Sequence, residues 1–158
     1  FYVPEGAELI EAHGFAYPPE EVFKVPQPWF EEDPDIVSIA ATESFDSNSG
    51  TRITNEFGKT AYGNWMAVAP GETSEVLIRY RLPFRAFGEK EETSQYSMYV
   101  QRQSGAEGAY SSTVIYPDSW YPVWRSRDGL TLAQNGASIE GPLVSDEVFG
   151  FVMTNKQQ

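Results

Sequence analysis

Cysteine is absent from this 158-residue chain, and histidine occurs once, as His13. The first absence excludes disulfides and thiolate metal sites. The second excludes histidine-rich metal centres and leaves a Ser–His–acid triad a single histidine to work through. No Gly-x-Ser-x-Gly elbow is there to present a nucleophile. A turn or surface histidine is the simpler reading of His13. No apolar run approaches the length of a membrane span. Positive charge is scarce as well: 11 Lys and Arg stand against 23 Asp and Glu, a formal net charge of −12. Nucleic acid and anionic membrane surfaces repel such a chain at long range, so neither is an expected partner.

What the chain has in quantity is aromatic side chains and turn formers. Aromatics make up 15% of it, with 13 Gly and 11 Pro. That mixture suits an all-β protein with many turns. The length fits one domain able to bury a core without staples. The chain begins at Phe1 rather than Met. It is expected to be a piece of a longer surface protein, reaching a membrane only through an anchor outside these residues.

One stretch invites a nucleotide reading. Gly58-Lys59-Thr60 matches the end of a phosphate-binding loop, but the loop's first glycine would fall at Ile53. No helix-forming pattern follows. Thr51 to Phe57 alternates, and Thr60 to Val68 is interrupted by Gly63 and Asn64. The stretch therefore reads as a β-hairpin turning at Gly58-Lys59.

Other strands follow from period-two alternation. Val76, Ile78, Tyr80 and Leu82 share one face of a strand that Pro83 stops. Tyr96, Met98 and Val100 point inward from the next, with Gln95, Ser97 and Gln101 outward. A charged loop over 88–93 separates the two. Further strands are expected at 1–3, 35–40, 112–116, 120–124, 130–132, 137–139 and 147–153. Residues 17–34, rich in proline and acid, read as a long loop pinned by Phe23, Trp29 and Phe30. Trp65 is expected in the core. Short strands at regular spacing predict an antiparallel β-sandwich of immunoglobulin-like architecture with long loops, as a single domain over 1–158.

The residues that point most directly to a ligand are aromatic. In Trp120-Tyr121-Pro122-Val123-Trp124, strict alternation puts Trp120, Pro122 and Trp124 on one face and Tyr121 on the other. Exposed, Trp120, Tyr121 and Trp124 could stack sugar rings; buried, they would close the end of the core. Oxygen-only Ca²⁺ ligands are the one metal chemistry left. Asp46 and Asn48 begin like a calcium loop, which then fails at Gly50 and Phe57; Glu31 and Asp33 form a second acidic cluster. No cofactor is expected otherwise. Among so many acids no pair stands out as a glycosidase couple, and no enzyme activity is expected.

The strings Gly58–Trp65, Val68–Glu72, Tyr80–Phe84 and Tyr96–Gly105, with the opening Tyr2–Leu9 and Gly14-Phe15, resemble a region of a known family. It is the C-terminal extracytoplasmic region of the bacterial domain-of-unknown-function 4012 family. The resemblance covers roughly residues 1–116. It implies a membrane-anchored, outward-facing protein of the bacterial envelope and carries no activity or functional residue with it. The expected role is a non-catalytic scaffold or interaction module of a bacterial cell surface. Its partners would be other surface proteins, or a second copy through the sheet edge at Phe1 to Val3. The alternative is a carbohydrate-binding module on envelope polysaccharide.

Overall fold

The computed structural model describes residues 1–88, 91–105 and 107–156. Parts of the charged loop expected at 88–93, and of the glycine-bearing turn that the sequence predicts over 104–110, lie outside them. The chain is all-β, with antiparallel sheets and one short helix. Where the sequence reads as one continuous sandwich, the structure divides into two compact units, Phe1–Phe84 and Arg85–Gln158.

In the first unit, β1 (Tyr2–Pro4), β5 (Lys59–Gly63), β4 (Arg52–Glu56) and β3 (Ser44–Phe45) form one sheet in that order. β2 (Glu8–His13) and β6 (Leu77–Arg81) form a separate ladder. The hairpin expected around Gly58 is present, with Glu56 opposite Lys59. The two turn residues are Phe57 and Gly58, at φ 51 and 70. Two consecutive positive φ values give the turn the twist of the flanking strands. Lys59 thus belongs to the strand, and Phe57 lies in the turn with its ring in solvent. The Phe1–Val3 segment is used internally: β1 pairs with β5, and the terminal ammonium donates to Tyr62 O at 2.9 Å.

A small core joins Val3, Ala7 and Tyr62 to Leu9, Ile53, Ile78 and Tyr80. The Tyr62 hydroxyl donates to Ala7 O at 2.8 Å, satisfying the one polar atom that this ring takes inside. On the outer side of the β2–β6 ladder, Glu8 faces Arg81 and Glu11 faces Arg79, with N–O distances of 3.0 and 2.7 Å.

The strand expected at 35–40 is a helix instead, α1 (Pro34–Ala40). Asp33 caps it, its carboxylate accepting from Asp35 N at 2.8 Å, and Pro34 occupies the first turn. Capping side chain and pre-set proline φ start a helix here despite the β-branched Ile36, Val37 and Ile39. After the helix, Thr42 Oγ1 accepts from Asn55 N at 2.8 Å and ties the segment to β4. Residues 17–33 form the irregular segment expected, with one 3-10 turn at Glu20–Val22. Trp65 is not core. It is 48% exposed and packs edge-on to Phe23 and Tyr17, ring centroids 5.2 and 6.4 Å away. It pins the long loop to the hairpin strand end, where Ala16 N donates to Trp65 O at 2.9 Å.

The second unit is a sandwich of two three-stranded sheets. One has the order β7 (Thr93–Val100), β12 (Glu147–Asn155), β9 (Trp120–Arg125); the other β10 (Thr131–Leu132), β11 (Gly136–Pro142), β8 (Ala109–Ile115). Alternation sends Phe149, Phe151 and Met153 of β12 inward with Tyr96 and Met98 of β7. They meet Ala137 and Ile139 of β11, and Tyr110 stacks on Phe149 at 6.5 Å. Gly150, between the two phenylalanines, sits so close to β7 that a Cβ there would lie 2.7 Å from Tyr96 O. Only glycine lets the two strands approach at that point.

Candidate functional site

The aromatic strand β9 is an edge strand, which is where a proline such as Pro122 costs no ladder hydrogen bond. Its register against β12 contains a bulge. Thr154 pairs with Tyr121, Met153 with Pro122 and Val152 with Trp124, so Val123 has no partner of its own. One extra residue reverses the parity of everything beyond it. Trp124 therefore shares the side of Tyr121, not that of Trp120.

The three aromatics expected to act together are thereby separated. Trp120 is 2% exposed, packed against Phe87 with ring centroids 5.7 Å apart, and closes the core. A ring so enclosed has no face left for a ligand. Tyr121 and Trp124, 40% and 56% exposed, lie together on the outer face of the β7–β12–β9 sheet. Across that sheet, Gln95 and Trp124 flank Val152, and Tyr99 lies opposite Val148. Tyr99 was missed in the sequence reading. The available signal was its place among the outward positions of β7, next to Gln95 and Ser97.

Tyr99 is held in place. Its hydroxyl donates to Asp146, whose other oxygen accepts from Arg102 N at 2.8 Å. The Tyr99 hydrogen bond, then that of Arg102, holds the Asp146 carboxyl below the usual carboxylate range. The same bond raises the Tyr99 phenol above its ordinary 10.0. At neutral pH the pair is a carboxylate accepting from a neutral phenol, and the ring direction is set before any ligand arrives.

Of the remaining candidates, Asp46 and Asp33 are committed to the fold. Asp46 Oδ2 accepts from the backbone N and the hydroxyl of Ser49, at 2.8 and 2.7 Å, which lowers its pKa and closes the turn. Asp33 caps α1, and Glu31 is exposed beside it. Asn48 lies exposed in the same turn as Asp46. Among the described residues no three His, Cys, Asp or Glu side chains gather as a metal group. His13 ends β2, exposed, with Glu11 Oε1 3.6 Å from its Nε2.

A shallow cleft of about 400 Å³ in the first unit is lined by Tyr17, Phe45, Arg52, Asn64 and Trp65. Two of its polar side chains are already used: Arg52 binds Glu43, and the Asn64 amide donates to Ser49 O and Thr51 Oγ1 at 3.1 and 3.0 Å. Among the described residues no helix is long and apolar enough to cross a membrane. No family model, curated protein or solved structure matches the chain.

Proposed function

We propose that this chain is a non-catalytic binding module of an outward-facing bacterial envelope protein. It serves as an interaction piece whose working surface is the outer face of the β7–β12–β9 sheet. The observation that carries the reading is the bulge at Val123, which turns Trp124 out beside Tyr121 when plain alternation would send it toward the core. An exposed tryptophan and tyrosine on a rigid sheet are the residue types that anchor ligands, because each offers a large apolar face at small entropic cost. The resemblance to an extracytoplasmic region supports the cell-surface setting.

The test is co-sedimentation with envelopes of the source bacterium. The intact chain is expected to pellet with them. A Tyr121→Ser, Trp124→Ser double variant is expected to stay in the supernatant while keeping the wild-type circular dichroism. Phe45→Ser, altering an exposed ring of the first unit, serves as control and is expected to pellet. Equal pelleting of the wild type and the double variant would overturn the assignment.

A further inference from the structure

From the chemistry of that same face we infer its ligand class: an uncharged, hydroxyl-rich polysaccharide. This rests on the reading just given and adds the identity of what binds. The chain carries 34 ionisable Asp, Glu, Lys and Arg residues, strongly biased to acid. The outward positions of β7 and β12 nonetheless hold none of them. Thr93, Gln95, Ser97 and Tyr99 point out from β7; Val148, Gly150, Val152 and Thr154 point out from β12. The first unit provides the contrast. There the outer side of the β2–β6 ladder is Glu8, Glu11, Arg79 and Arg81, in opposed pairs.

A strand face free of charge is not what an exposed sheet in an acidic chain needs for solubility. It is what a neutral ligand needs, since burying a charge against sugar would leave it unpaired. The functional groups left on the face are of two kinds. Trp124 and Tyr99 supply ring faces for the apolar C–H side of a pyranose, and Tyr121 supplies a third, one side of which the Lys156 ammonium approaches to 5.9 Å from the ring centroid. Gln95, Ser97 and Thr154 supply amide and hydroxyl groups that both donate and accept, matching sugar hydroxyls. Gly150 keeps the middle of the sheet free of a side chain, and the Asp146 carboxylate, at the rim, is already engaged by Tyr99 and Arg102. An anionic polymer would meet the repulsion of a net charge of −12, which the single ammonium of Lys156 beside Tyr121 does not offset.

Affinity electrophoresis in native gels tests the inference. The probes cast into the gel are soluble neutral glucans, mannans and galactomannan in one set, and polygalacturonate and hyaluronate in another. At least one neutral glycan is expected to retard the chain, with no retardation by the anionic pair. Trp124→Ala is expected to weaken retardation on the order of tenfold, the loss of one stacked ring. Gln95→Ala is expected to weaken it less, with both variants folded by circular dichroism. Retardation by anionic polymers alone, or by none of the glycans, overturns the ligand class. If the Tyr121 and Trp124 double variant still loses envelope binding in that case, the working face stands and its ligand is a protein. If neither experiment responds to the double variant, both readings fail together.

Discussion

The two units use similar residues to different ends. In Arg85–Gln158, Trp120, Leu130, Phe149, Phe151 and Met153 are each at most 2% exposed, enclosed between two sheets. In Phe1–Phe84 the whole buried set is small: Val3, Ala7, Ala61, Tyr62 and three threonines, several of them 6–8% exposed. That unit does not lack aromatics. Phe1, Tyr17, Trp29, Phe30, Phe45 and Trp65 all lie largely in solvent. Aromatic content alone therefore does not make a core; regular alternation on strands that face a second sheet does. In the first unit many of the rings sit on irregular segments, where they pack in small groups such as Tyr17, Phe23 and Trp65. There a small core around Val3 and Tyr62 is supplemented by hydroxyl hydrogen bonds and tight backbone approaches.

The largest effect that would break this contrast is in the second unit. Phe151→Ala removes a ring stacked on Tyr96 at 5.3 Å and leaves a cavity between the sheets. It is expected to cost about 3–5 kcal/mol. Urea unfolding followed by the emission of Trp120, the buried one of four tryptophans, checks it. A cost below that of an ordinary surface change would mean that the sandwich core is not the source of stability.

In the first unit the sensitive position is a glycine. Gly14 has φ +85, and a Cβ added to it would lie 2.0 Å from Glu75 O. Gly14→Ala is expected to cost at least about 2 kcal/mol, from the left-handed backbone and from parting the segments at Gly14 and Glu75. The readout is faster amide exchange across β2 and β6, with β12 unchanged.

The smallest effect is electrostatic and sharpens the same contrast. Glu56 accepts from the Thr54 and Tyr2 hydroxyls at 2.6 and 2.7 Å, and these bonds lower its pKa from the ordinary 4.5. A carboxyl depressed in the folded state stabilises fully above its unfolded value, and the benefit disappears as pH falls through the folded one. Tyr2 is raised above its ordinary 10.0, chiefly by the bond to Glu56, so its share persists below that pH and is lost above it. Glu56→Gln is expected to cost under ~1 kcal/mol at neutral pH. It is also expected to flatten the acid limb of the first unit's exchange-derived stability below pH 4.5. An unchanged acid limb would remove Glu56 from the account.

Much of the fold was legible because its signals are local. The hairpin around Gly58, read with its turn one residue late, the alternation of Tyr96, Met98 and Val100, and the polar turn at Asp46–Gly50 each depend on a few neighbouring residues. Helix α1 was misread although its start signal, Asp33-Pro34-Asp35, is just as local. The β-branched run after it drew the reading toward strand, and the cap prevailed because it satisfies free N–H groups at the first turn. The division into two units left only a faint trace, at Pro83 and the charged loop after it.

By itself the sequence determined the chemistry that is out of reach, since a chain without Cys and with one His cannot assemble thiolate or histidine-rich sites. It also determined the all-β class, since composition and alternation act residue by residue. Tertiary structure alone decided which aromatics face solvent. Trp120 and Trp124 stand four residues apart, and strict alternation gives them one face. The unpaired Val123 gives them opposite ones. A bulge arises from how an edge strand is matched to its neighbour's register, and that neighbour, β12, lies far along the chain.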